Sequence, residues 1–156
     1  MGIRRAEEKD MKRVLKLLSE VLEIHAKIRP DIFVSGTTKY SDEELREIFL
    51  DDGKPVFVAV DDVDEVLGYA FCEIKEMPKR PFMKSYKMLY IDDLCVDENA
   101  RGQHIGKQLY EYVLDYARTI GCYEVMLNVW EGNDRAKAFY QKVGMKVKET
   151  HMEVIL

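Results

Sequence analysis

The sequence predicts an α/β (α+β) fold, with a central sheet of six to seven strands and about four helices on its two faces. Three observations predict it. Apolar residues recur with a period of about 3.6 in some stretches and about 2 in others, and these stretches follow the order β-α-α-β-β-β-α-β-α-β-β. Each change of period is marked by a capping or turn residue. The 156 residues, 47 % hydrophobic and 34 % charged, fit one domain over 1–156 with enough chain to bury a core.

A short strand at Ile3–Arg5 opens the chain. Asp10 is placed to cap a first helix, with Met11, Val14, Leu15, Leu18, Val21 and Leu22 on one face. That helix must stop before Pro30. Ser41 and Glu44 form a capping box ahead of Leu45, Ile48 and Phe49, so a second helix starts there and ends before Gly53. Strand-like runs follow at Val56–Val60, Val66–Lys75 and Lys87–Val96, and Asp61–Glu65 reads as a hairpin turn between the first two. A longer helix carries Ile105, Leu109, Tyr112, Val113, Tyr116 and Ile120 on one face and ends at Gly121. Tyr123–Val129 is a strand. Asn133 or Asp134 caps a last helix with Ala136, Phe139, Tyr140 and Val143, stopped by Gly144. Two strands, roughly Lys146–Lys148 and Thr150–Ile155, finish the sheet.

Composition excludes several functions. A net charge of −5, from 24 basic and 29 acidic side chains, argues against nucleic-acid binding. The charge is uneven: residues 31–65 carry 3 basic and 11 acidic side chains, a solvated face or an attractant for a cationic substrate. Cys72, Cys95 and Cys122 lack metal-ligand spacing, and His25, His104 and His151 are far apart, so no metal is expected. Reduced cysteines suit a cytoplasmic protein. Lys12, Arg13 and Lys16 break the apolar stretch after the first residues, so no signal peptide is expected, and Ala6 spoils a myristoylation pattern begun by Gly2. Apolar runs such as Val56–Val60 are far shorter than the ~18 residues of a membrane span.

The chemistry lies in two segments. Leu94-Cys95-Val96-Asp97-Glu98-Asn99-Ala100 leads from a strand through a polar turn into Arg101-Gly102-Gln103-His104-Ile105-Gly106-Lys107, which opens a helix. The free N–H groups and the dipole of a helix start favour an anion, Gly102 and Gly106 let the backbone approach it, and Arg101 and Lys107 add positive charge. A pyrophosphate is the natural guest. Only three residues separate Gly102 from Gly106, and Gln108 stands where a P-loop needs Ser or Thr, so a nucleotide P-loop is disfavoured; the dinucleotide pattern is absent too. In the second segment, Asn133 opens a helix and Tyr140 follows seven residues on, about two turns away on the same face.

Together these segments resemble the GNAT superfamily of acyl-CoA-dependent N-acetyltransferases. Arg101-Gly102-Gln103-His104-Ile105-Gly106 is similar to the family's phosphate turn, with His104 where the family usually has the first glycine of a pair. Asn133, Ala136, Phe139, Tyr140 and Gly144 match its late motif. The resemblance implies a mixed, mostly antiparallel sheet whose middle strands, Tyr90–Val96 and Tyr123–Val129, splay apart around acetyl-CoA. The pantetheine arm would lie along the backbone of Leu94, Cys95 and Val96, and Asn133 would contact it. The pyrophosphate would sit on Gln103–Lys107, that is Gln103, His104, Ile105, Gly106 and Lys107, with Arg101 and Gly102 beside it in the coenzyme site, and Tyr140 would face the sulfur as proton donor. Asp92 and Asp93 are the candidate bases, and strand alternation suggests that only one of them faces the amine. Cys95 could be imagined as an acetylated nucleophile, but direct transfer is the family's usual route.

The resemblance further implies a small-molecule or peptide amine as partner, no nucleic acid or membrane, and allows a homodimer. Tyr90-Ile91-Asp92-Asp93-Leu94 is similar to the diamine acetyltransferases and points to a cationic amine. The competing reading is a non-catalytic acyl-CoA-binding regulatory module on the same fold. His25 and Arg29 end the first helix near the expected acceptor pocket, which Phe33, Tyr86 and Trp130 could wall.

Overall fold

In a computed structural model describing residues 1–156, the hydrophobic alternation resolves into one five-stranded sheet. Its strands are β1 (Gly2–Arg5), β2 (Val56–Val60), β3 (Val66–Met77), β4 (Tyr86–Val96) and β5 (Glu124–Leu127), hydrogen-bonded in that order. The first three pairings are antiparallel and β4–β5 is parallel. Four α-helices cover it: α1 (Met11–Ile28), α2 (Asp42–Leu50), α3 (Ile105–Thr119) and α4 (Asp134–Lys142).

The two faces have separate cores. Val14, Leu17 and Leu18 of α1, with Leu45 and Phe49 of α2, pack on Val56, Val58, Tyr69 and Phe71. Ile105, Leu109 and Val113 of α3 pack on Phe57, Ala59, Ala70, Leu89 and Ile91 of the opposite face. Successive β2 residues therefore supply opposite cores, and all five of them are buried. A continuous apolar run at Val56–Val60 is the signature of such a doubly covered strand.

The helix starts follow local chemistry. At α2 the Ser41 side chain accepts from the Glu44 N–H at 3.2 Å, while Glu44 accepts from the Ser41 N–H at 3.1 Å. Asp10 behaves differently from the expected simple cap. A 3-10 turn at Glu8–Asp10 precedes α1, and the buried Asp10 carboxylate accepts from the Glu7 N–H and, bidentately, from Arg4 at 2.8 and 3.0 Å. Asp10 thereby ties β1 to the entry of α1.

The two closing strands expected at Lys146–Lys148 and Thr150–Ile155 do not form, so the sheet has five strands rather than six to seven. The chain after Gly144 is held near β5 by the Lys148 ammonium, 2.9 Å from Glu124, and near α1 by an Arg29–Glu153 ion pair. Val147, Met152, Val154 and Ile155 stay exposed. Apolar alternation specifies a strand only where a sheet edge and a core receive the apolar face, and the four half-buried residues of β5 offer little of either.

Gly68 controls how closely β3 approaches β4 beside the end of the latter strand. It stands opposite Val96, and a Cβ there would lie 2.6 Å from the Cys95 carbonyl oxygen. The obstacle is backbone and cannot rotate away. Gly68→Ala should cost about 1–3 kcal/mol of stability, read as a fall in the urea midpoint with an unchanged slope.

Candidate functional site

The parallel β4–β5 ladder runs only from Met88↔Glu124 to Ile91↔Leu127. Beyond it β4 continues through Asp92 to Val96, hydrogen-bonded to β3 alone, while β5 has ended. The strands part there, and a cleft of about 810 Å³ opens between β4, β5, α1, α3 and α4. The splay expected around Tyr90–Val96 is present, and its β5 side is a row of backbone groups free to pair with an extended guest.

The register of β4 decides what faces this cleft. Phe71 pairs with Asp93 and Cys72 with Ile91, so Asp92 is an extra residue without a β3 partner. A bulge of this kind breaks strict alternation. Asp92 and Asp93 consequently both reach the cleft on the α1–α2 side, where strict alternation would have sent them to opposite faces of the sheet. Asp93 accepts from the Tyr69 hydroxyl at 2.7 Å. Asp92 accepts from the Tyr40 hydroxyl at 3.0 Å and from the Lys39 ammonium at 2.6 Å.

Their electrostatics differ. Burial pushes the Asp93 carboxyl up to about 6; the Tyr69 hydrogen bond and the Lys39 charge oppose the rise, and Asp92 adds to it. Burial, reinforced by Asp93, pushes the Cys95 thiol up to about 12, leaving it protonated and a poor nucleophile at neutral pH. Tyr140 is half-buried on α4, its ring edge-on to Phe139 with centroids 5.1 Å apart. Burial, then the nearby Asp93 and Cys95, hold its phenol above the usual range, so it keeps its proton.

The other end of the cleft is cationic. Arg101, Lys107, Arg135 and Lys142 line it around the start of α3. No side chain caps α3, and its first intrahelical acceptor serves Gln108, which donates to the His104 carbonyl at 3.0 Å. The preceding N–H groups are left for a ligand. His104 has the left-handed φ of +61°, which explains why a glycine would suit that position; histidine is one of the side chains that tolerates it. A Cβ at Gly106 would make ordinary contacts of 3.4 Å with Phe139 and 3.6 Å with Val96, so the fold itself would accept alanine there. Glycine instead leaves the first turn of α3 open toward the cleft.

Asn133 caps α4, its side-chain oxygen accepting from the Ala136 N–H at 3.3 Å, and it too lines the cleft. Leu94, Cys95, Val96, Arg101, Gly102, His104, Ile105, Gly106 and Lys107 line it as well, whereas Gln103 is exposed outside. His25, Phe33 and Trp130 form an aromatic wall, with centroids 5.2 and 5.5 Å apart in succession and the Arg29 guanidinium 5.7 Å over the indole. Tyr86 is not part of that wall; it packs on Tyr123 outside the cleft.

Most of the acidic stretch 31–65 also lies elsewhere, on α2 and the β2–β3 hairpin, where Asp64 pairs with Arg4 and Lys9. Only Asp92 and Asp93 bring carboxylates into the cleft. Sequence reasoning missed Lys39, Tyr40 and Tyr69. Tyr69 reads as an ordinary strand aromatic, and the hydroxyl that meets Asp93 is visible only once β3 and β4 are paired. No group of three or more His, Cys, Asp or Glu side chains is placed to hold a metal ion, and no helix is long and apolar enough to cross a membrane.

Comparison with known proteins agrees with this geometry. Residues 18–145 match the family model described as Acetyltransferase (GNAT) family. A peptidyl-lysine N-acetyltransferase of Salmonella typhimurium is 35% identical over 115 residues, covering 74% of this chain and 66% of the relative. A glucosamine 6-phosphate N-acetyltransferase of Arabidopsis thaliana is 35% identical over 77 residues, 49% of this chain and 50% of the relative. The chain thus spans between half and two thirds of these curated relatives. Among solved structures, a mutant of the BH1408 protein of Bacillus halodurans superposes with a TM-score of 0.96 at 35% identity, covering 100% of this chain and 99% of the other.

The raised Asp93 carboxyl has a consequence for stability. A group whose folded pKa lies above its unfolded value of ~3.9 binds its proton more tightly when folded, so its contribution to stability is present at low pH and lost as pH rises through about 6. Asp93→Asn should therefore raise the melting temperature more at pH about 8 than at pH about 4. Equal shifts at both pH values would place this carboxyl in an ordinary solvated environment.

Proposed function

Because the chain belongs to the acetyltransferase (GNAT) family, we propose that it transfers an acetyl group from acetyl-CoA directly to a primary, cationic amine. One observation carries this reading. A single cleft joins an open strand edge and an uncapped, cation-lined helix start to a pair of carboxylates, with Tyr140 on its far wall. An extended arm ending in a pyrophosphate suits the first part, and an ammonium group suits the second. Curated relatives named for peptidyl-lysine and for glucosamine 6-phosphate acetylation support an amine acceptor.

In this reading the backbone of Leu94, Cys95 and Val96 pairs with the pantetheine arm as an added strand would. Arg101, Gly102, His104, Ile105, Gly106 and Lys107 hold the pyrophosphate, with Gln103 at the rim and Asn133 beside the arm. Acetyl transfer then needs a neutral amine, a donor to the tetrahedral oxyanion and a proton for the departing thiolate. Asp93 takes the proton of the incoming ammonium, either directly or through water. Its pKa of about 6 keeps it ionised at neutral pH yet more basic than an ordinary carboxylate. A backbone N–H near Leu94–Val96 donates to the oxyanion, and Tyr140 protonates the sulfur. Asp92 anchors positive charge: its carboxylate already holds the Lys39 ammonium, which a substrate ammonium would displace. The protonated Cys95 supports direct transfer over an acetyl-cysteine. The free thiols of Cys72, Cys95 and Cys122 suit a reduced, cytoplasmic protein, one domain acting alone or as a homodimer.

Thiol release from acetyl-CoA across a panel of amines tests the reading, and Tyr140→Phe tests the acid. It should bind acetyl-CoA nearly as well as the parent and lose about 10²–10⁴-fold in turnover. Coenzyme binding without thiol release on any amine would favour a regulatory module instead.

The two carboxylates should separate kinetically. Turnover of the parent should fall below pH about 6 as Asp93 is protonated, and Asp93→Asn should lose turnover but recover part of it as pH rises and more amine is already neutral. Asp92→Asn should raise KM for di- and polyamines about two- to fivefold with little change in kcat, the size of a half-exposed ion pair. Unchanged kinetics in both variants would take the carboxylates out of the reaction.

A further inference from the structure

A primary amine of the protein already occupies the acceptor side of the cleft. Lys39 lies on the loop between α1 and α2, beyond the reach of any sheet ladder. Its ammonium sits 2.6 Å from the Asp92 carboxylate and 5.5 Å from the centre of the Tyr40 ring. Asp93 and Tyr140 line the same cleft. Lys107 and Lys142, the other cleft lysines, sit on α3 and α4, and Lys107 pairs with Glu111. Lys39 alone among them contacts one of the two carboxylates, Asp92, and its charge is felt at the neighbouring Asp93. The Lys39 side chain is 44% exposed, so it is held by two contacts rather than packed away, and its flexible four-carbon stem can carry the ammonium a short distance along the cleft.

We infer that Lys39 is itself an acceptor, acetylated on Nζ within its own chain when acetyl-CoA is bound and no external amine is present. This rests on the acetyl-transfer reading above. The step balances as that reaction does. The Lys39 ammonium gives one proton to Asp93, which passes it to solvent. The neutral Nζ attacks the thioester carbonyl, and an N–C bond forms. The adduct loses a second proton through the same carboxylate as the C–S bond breaks, while Tyr140 protonates the thiolate and is itself reprotonated from solvent. The products are Nε-acetyl-Lys39, free coenzyme A thiol and one net proton.

Proximity is the physical argument. An amine tethered beside the reacting centre faces a large effective concentration, whereas exposed lysines meet acetyl-CoA only by collision. The adduct would also be stable in place: acetylation removes the charge that pairs Lys39 with Asp92 and leaves that carboxylate open to an external ammonium group.

The purified chain is incubated with acetyl-CoA alone at pH about 8, and acetylation at each lysine is followed by peptide mass spectrometry. Lys39 should gain one acetyl group at least about tenfold faster than the exposed Lys12 and Lys54. Its rate constant should not depend on protein concentration, and Tyr140→Phe should slow it by the factor by which it slows thiol release with an added amine. Acetylation of Lys39 at the rate of Lys12 and Lys54, a rate that scales with protein concentration, or indifference to Tyr140→Phe would each overturn the inference. Thiol release with added amines, measured on the same preparation, keeps the two readings apart. If it proceeds while Lys39 stays unmodified, only the self-acetylation fails; if neither occurs, the acetyl-transfer reading fails with it.

Discussion

β4 pairs with β3 along nearly its whole length but with β5 only from Met88 to Ile91, and one extra residue, Asp92, stands where the second pairing stops. The bulge falls just where the parallel ladder ends. β5 ends at Leu127, so past Ile91 the edge of β4 has no strand partner and the cleft opens there. The same residue breaks alternation, so two consecutive carboxylates share one side of the sheet. Opening and charge thus meet at one point of β4, and its unpaired edge lies where a guest can supply the missing ladder bonds.

The carboxylates then divide by environment. Asp93 is shielded, and a single phenol donor from Tyr69 does not offset its burial, so its proton is held unusually tightly. Asp92 is less enclosed, with an ammonium and a phenol as partners. Burial, more than any charged neighbour, sets the basicity of Asp93. The cationic rim around α3 and α4 gives the cleft a second pole, which orients a molecule carrying a phosphate at one end and a reactive carbonyl at the other.

Helix starts show a similar division of labour. Ser41 caps α2 and Asn133 caps α4, each using its own side chain. α3 is left uncapped, with His104 in a left-handed turn and Gly106 bare in the first turn. No side chain satisfies the first N–H groups of α3, whose start lines the cleft, an arrangement that costs some stability in the free protein and favours an anion there.

The sequence by itself determined the four α-helices, the Ser41–Glu44 capping box, all five observed strands to within about two residues, and the turn before α3, because periodicity and capping are local chemistry. It also pointed to Tyr140 and Asn133 as one helix face. It did not determine the bulge at Asp92, since an extra residue in β4 exists only relative to the register of β3. Nor did it find Tyr69, Tyr40 or Lys39, whose partners are 24, 52 and 53 residues away along the chain. The closing strands erred for the same reason. Alternation at Val147–Ile155 is a local property, but a strand needs a neighbouring edge and a core to cover its apolar side, and only the tertiary arrangement of β5 and α1 decides whether either is there.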